Sequence, residues 1–201
     1  MIIHEGYNRV IYIHIPRTGG RYVTAYFKNH HITESDYDTF IDDHFAQAHA
    51  KINYYKDYNY KNFTIVRNPY DRFISSIKRC LPECNLSLNT FENVKDYKTF
   101  LKYFNIMKDT KKLGQFFEKQ INFINKDTYI WKLEDKLWDN FLQWLKDNFN
   151  LTTNIRDPKY LAWPNDFNKV KVSNETKDYI KKYYEEDYKR FKYRSIRYTI
   201  S

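Results

Sequence analysis

Arg9-Val-Ile-Tyr-Ile-His14 reads as a short buried strand, and it runs straight into Ile15-Pro16-Arg17-Thr18-Gly19-Gly20. An amphipathic stretch with Tyr22, Val23, Tyr26 and Phe27 follows. A strand, a glycine-containing turn and a helix start, in that order, form the anion cradle of α/β proteins. The first N–H groups of the helix have no partner within it, and the helix dipole adds to their pull on a negative ligand. Gly19 and Gly20 let the backbone approach that ligand, while Arg17 and Thr18 supply a charge and a hydroxyl. A second turn of the same type follows about fifty residues on. There the apolar run Asn62-Phe-Thr-Ile-Val66 ends at Arg67-Asn68-Pro69. Pro69 stops the strand and suits the first turn of a helix, whose apolar face is Phe73, Ile74 and Ile77.

Further along, Tyr97–Met107 and Leu113–Ile124 read as helices and Thr128–Leu133 as a third strand. Phe45–Tyr55 also reads as a helix, after a polar connection over His30–Asp43. Leu137, Phe141, Leu145 and Phe149 recur every four residues, the mark of a well-buried helix. Ser173 or Asn174 caps a last helix with Ile180, Tyr183, Tyr184, Tyr188 and Phe191 on its inner face. Strands alternating with helices predict an α/β fold: a P-loop-like three-layer architecture, its central parallel sheet flanked by helices. In such sheets ligands bind beyond the carboxyl ends of the strands, where both basic turns fall. The 201 residues suit a single domain over 1–201 with a sizeable core, and 20 Tyr and 15 Phe predict that rings build much of it.

The charge balance limits the partners. A net charge of +9 implies an acidic one: nucleic acid, a polyphosphate nucleotide or an anionic polysaccharide. Cys80 and Cys84 form neither a zinc set nor a disulfide framework, so two reduced thiols and no metal are expected. No apolar run approaches a membrane span and no secretory signal is visible, which predicts a cytoplasmic chain, in the host cytoplasm if the source is viral.

The first turn lacks the Gly-x4-Gly-Lys-Ser/Thr pattern of a Walker loop. Ile13-His-Ile-Pro-Arg-Thr-Gly-Gly20 instead resembles the 5′-phosphosulfate loop of sulfotransferases that use 3′-phosphoadenosine 5′-phosphosulfate (PAPS). Phe63-Thr-Ile-Val-Arg-Asn-Pro-Tyr-Asp-Arg-Phe-Ile-Ser-Ser76 resembles the same family's 3′-phosphate motif. The likeness runs through nearly the whole chain and points to the carbohydrate branch that includes the heparan 2-O-sulfating enzymes. It implies a carbohydrate O-sulfotransferase with PAPS as cofactor, released as 3′-phosphoadenosine 5′-phosphate (PAP). The partner it implies is a glycan or other hydroxyl-bearing acceptor, with no nucleic acid, no membrane and an open oligomeric state. Pro16, Arg17, Thr18, Gly19, Gly20, Arg21 and Tyr22 would hold the 5′ end, and Arg67 with Ser75 the 3′-phosphate. Two separate anion sites, each at a strand-to-helix turn, are what such a ligand requires.

Two departures from the family pattern stand out: Arg17 replaces the usual Lys, and Arg21-Tyr22 replaces Thr-Ser. Arg17 keeps the charge that stabilises a leaving phosphate but is a poor proton donor. A base must take the acceptor's proton, and a neutral His suits that near pH 7. His49, placed just before the second motif, is the first choice and His44 the alternative; His14, inside the first strand, reads as a core residue. Gln120 either lines the acceptor cleft or is an interior amide. Arg72 and Asp71 read as a surface pair, with contact of Arg72 to phosphate as the alternative; Lys169 and Lys171 read as a solvated basic stretch, the alternative being contact with the cofactor's phosphate or an anionic acceptor. The competing readings are a P-loop kinase, a nucleic-acid-binding module without catalysis, and a degenerate sulfotransferase that binds PAP without turnover.

Overall fold

The structure, a computed structural model, describes residues 1–5, 7–20, 23, 27, 32–34, 49–85, 97–110, 113–135, 139–151 and 172–194. The strands are β1 (Ile2–Glu5), β2 (Asn8–Ile13), β3 (Ile32–Glu34), β4 (Lys61–Val66) and β5 (Tyr129–Lys132). They form one sheet in the order β3-β1-β2-β4-β5. β2, β4 and β5 are parallel neighbours, as expected of an α/β fold. The sheet is nevertheless mixed, because β1 pairs antiparallel with both β2 and β3. Two residues join β1 to β2, and a link that short can join only antiparallel strands. β3 falls inside the stretch expected to be a polar connection.

The helices are α1 (Pro69–Cys80), α2 (Tyr97–Asp109), α3 (Asp139–Phe149), α4 (Asn174–Tyr183) and α5 (Glu185–Arg190). The expected starts hold where a cap fixes them. Asn68 accepts from the N–H of Tyr70 before Pro69, and Ser173 accepts from that of Thr176. Of the helix expected over 45–55, residues 45–48 lie outside the described residues, and the rest holds a 3₁₀ turn, Ile52–Tyr55.

Two compact units divide the chain, Met1–Arg67 with Asn122–Trp163 and Asn68–Ile121 with Pro164–Ser201. In the first, Phe63 is fully buried among Tyr12, Phe27, Phe141, Trp144 and Phe149. In the second, Phe73 packs on Phe100, Phe104, Phe117 and Tyr184. Rings therefore fill both cores, in the tilted and edge-on geometries that aromatic quadrupoles favour.

Candidate active site

The first basic turn lies where β2 ends. Arg17 has φ of 67° and Gly19 has φ of 91°, so two left-handed residues stand within three. Gly19 takes that conformation without steric penalty, whereas Arg17 takes it against the clash of its own Cβ. Backbones of alternating hand gather N–H groups into an anion-binding hollow. The Thr18 hydroxyl is buried and donates to the Ile15 carbonyl at 2.8 Å, which closes the turn on itself. Gly20 is already helical, as are Val23 and Phe27, whose side chains are buried one helical turn apart.

The second turn comes to the first by sheet register. Ile13 of β2 faces Thr64 of β4, and the Thr64 hydroxyl donates to the Ile13 carbonyl at 2.8 Å. Parallel neighbours in that register leave the sheet at one level, so Pro16 and Arg67 lie equally far beyond the paired residues. Nη1 of the half-buried Arg67 lies 3.5 Å from the Arg17 carbonyl oxygen, the outer limit of a hydrogen bond. The guanidinium thus stands at the glycine turn itself, with the fork of donors that matches phosphate oxygens.

His49 joins this corner through His14. Its Nδ1 lies 3.0 Å from the His14 carbonyl oxygen. A carbonyl can only accept, so Nδ1 carries a proton, and in the neutral ring the lone pair is then on Nε2. That is the tautomer a general base requires. The two imidazoles meet edge to face, with centroids 4.4 Å apart. His14, read from sequence as a core residue, is instead half-buried at the mouth of the turn.

Other sequence-derived site residues belong to the second unit or lie outside the described residues. Arg21, Tyr22, His44, Lys169 and Lys171 are outside the described residues. Ser75, in the second unit, is fully buried on α1. Gln120 is fully buried too; its backbone N–H donates to Asp187 at 2.9 Å, and its side chain also bonds that carboxylate. With no accessible surface, it has the surroundings of the interior amide rather than of a cleft residue.

Arg72 is a correction. It is fully buried rather than paired with Asp71 on the surface, and Nη1 donates to the Glu118 carbonyl at 2.8 Å. Burial lowers its pKa, while Tyr184, Asp187 and Glu118 favour the charged form. No feature of the sequence pattern marks the left-handed Arg17 or the meeting of His14 with His49. The nearest signal is the Gly19-Gly20 pair in a chain with only 4 Gly.

A left-handed glycine turn, an arginine brought to it from the next parallel strand, and an oriented imidazole agree with what the comparison with protein families finds. No curated protein matches the chain, but the family model described as "Sulfotransferase family" matches residues 1–194. The chain belongs to the sulfotransferase family.

Proposed function

We propose that this sulfotransferase moves a sulfuryl group from PAPS to a hydroxyl of a carbohydrate acceptor, with His49 as general base. The observation that carries the reading is the 3.5 Å approach of Arg67 to the Arg17 carbonyl, which joins both basic turns in one corner. The donor chemistry of that corner fits the cofactor: the Arg67 guanidinium and a left-handed glycine turn suit a ligand with phosphate at both ends of a ribose. PAPS supplies the sulfuryl group and leaves as PAP, the electron pair of the broken sulfur–oxygen bond staying on its 5′-phosphate.

Within that scheme the backbone N–H groups of Thr18, Gly19 and Gly20 hold the 5′-phosphate, with Pro16 shaping the turn. Arg17 stabilises the charge that grows on the leaving oxygen. Arg67 binds the 3′-phosphate, and the family resemblance assigns Ser75 to the same group. The proton of the acceptor hydroxyl passes to Nε2 of His49 as its oxygen bonds to sulfur. The His14 carbonyl then stabilises the imidazolium through Nδ1–H. A guanidinium in place of the usual lysine keeps the charge and gives up proton donation, so Arg17 acts by electrostatics. The carbohydrate acceptor rests on the resemblance to the glycan-sulfating branch.

The test is a thermal-shift titration with PAP, ATP and AMP, followed by transfer of labelled sulfate to a glycan panel. Selective stabilisation by PAP and label on a glycan are the expected results. Preference for ATP with Mg²⁺-dependent turnover would establish a kinase instead.

A further inference from the structure

We infer that His14 is a positioning residue for sulfuryl transfer: its imidazole is the spacer that sets the base His49 against the phosphate-binding turn. This rests on the assignment of His49 as the base. Neighbours lie against the His14 ring on three sides. On one side, a Cβ added at Gly20 would overlap Cδ2 and Nε2 of His14, so the ring lies directly on the Gly20 backbone. On the second, it meets the edge of His49 at 4.4 Å between centroids. On the third, it stacks on Tyr12 at 5.9 Å and 17° between planes.

Tyr12 is fully buried and packs in turn on Phe63, 5.1 Å between centroids, at the middle of the first core. A continuous column of rings therefore runs from the core through Tyr12 and His14 to His49. Close-packed interiors do not yield to an extra methyl without moving their neighbours. The column blocks the His14 ring from retreating into the core, so a push from Gly20 is directed toward His49 and the ring's open side. The two adjacent glycines are thus needed for different reasons. Gly19 is required by its φ of 91°, whereas Gly20 is required by the ring lying against it.

Base and turn belong to one reaction centre, and a displacement of about 1 Å between reacting groups can cost 10²-fold in rate. A residue that fixes that separation shows itself in kcat rather than in cofactor binding. Three variants test this: His14→Ala, Gly20→Ala and the double variant, each assayed for labelled sulfate transfer and for PAP affinity by thermal shift. His14→Ala is expected to lower kcat at least tenfold while the PAP Kd stays within about threefold. Gly20→Ala pushes the same ring from the other side and is expected to lower kcat as well. In the double variant the new methyl enters the space the imidazole has left. The combined loss is therefore smaller than the product of the two single losses, the mark of directly coupled sites.

Multiplicative losses in the double variant, or a His14→Ala enzyme with unchanged kcat, would overturn the inference. So would a His14→Ala protein whose kcat and PAP affinity fall in parallel, which is what a merely structural residue gives. Gly20→Ala keeps the question open to measurement if His14→Ala does not fold, since a normal kcat there also refutes the spacer. His49→Ala, run alongside, separates the two claims: full turnover in that variant refutes the base assignment itself, whatever His14 does.

Discussion

At the scale of single residues, Arg17 combines the side chain proposed to stabilise the leaving phosphate with an unfavourable backbone. Its φ of 67° costs a non-glycine residue roughly 1–2 kcal/mol. Strain of this kind persists where surrounding structure imposes it, and it concentrates at binding turns. Arg17→Gly is therefore expected to raise stability by about 1 kcal/mol while lowering transfer, measured by urea unfolding and by labelled sulfate. A less stable glycine variant would contradict the strain argument. Arg67→Ala is expected to abolish stabilisation by PAP, because the phosphate loses a charged, two-pronged partner. His49→Ala should bind PAP normally yet transfer sulfate about 10²- to 10⁴-fold more slowly, the usual worth of a general base. A variant that kept the wild-type rate would move the base elsewhere.

Among the elements, residues 113–124 show how tertiary partners override local pattern. The apolar spacing there predicts one helix, but the structure has two 3₁₀ turns, Gly114–Phe116 and Gln120–Phe123. Side chains take over the backbone groups a helix would have paired. Ser76 donates to the Phe116 carbonyl, Tyr184 to that of Phe117 and Arg72 to that of Glu118, while Asp187 accepts from the N–H groups of Gln120 and Ile121. Buried backbone groups need partners, and these supply them without a helix.

Asp187 carries a pH signature. Burial raises its pKa above the usual carboxylate range, against the pull of those two N–H groups and of Arg72. A carboxyl raised on folding contributes stability that is complete below its unfolded value of about 4. That contribution is lost as pH rises through the folded value. Urea midpoints should therefore fall as pH rises above about 4. Asp187→Asn is expected to flatten that slope and, where the carboxylate is ionised, to cost roughly 1–3 kcal/mol, because one of the two buried N–H groups loses its acceptor oxygen. An unchanged slope in the variant would assign the titration to another group.

For the molecule as a whole, the excess of 34 Lys and Arg over 25 Asp and Glu acts at long range. Such a field draws polyanions toward the protein and is screened within about 8 Å at physiological salt. With an acidic glycan as acceptor, KM should climb steeply as NaCl is raised from about 0.1 M to about 1 M, where the screening length falls from ~10 Å to ~3 Å, while kcat changes little. A neutral oligosaccharide of equal length is the control. Equal salt responses for the two would show that net charge plays no part in acceptor capture.

Much of the α/β frame was legible from the chain because its signals are local. Apolar runs made β2, β4 and β5, Pro69 and Asn68 started α1, and Ser173 started α4; the two basic turns could be found from residue order. The antiparallel β1 and β3 and the 3₁₀ turns at 114–116 and 120–123 were not legible, since their pairing and partners come from distant residues. The candidate site divides in the same way. Residue types marked Arg17, Gly19 and Gly20 as candidates, and the family resemblance added His49 and Arg67. Only the tertiary structure decided that Arg67 reaches the Arg17 carbonyl, that His49 is held by its Nδ1, that Gln120 is interior, and that the His14 ring lies against both His49 and Gly20. Each of those facts depends on the register of neighbouring parallel strands and on the packing of rings, and neither is written in any short stretch of residues.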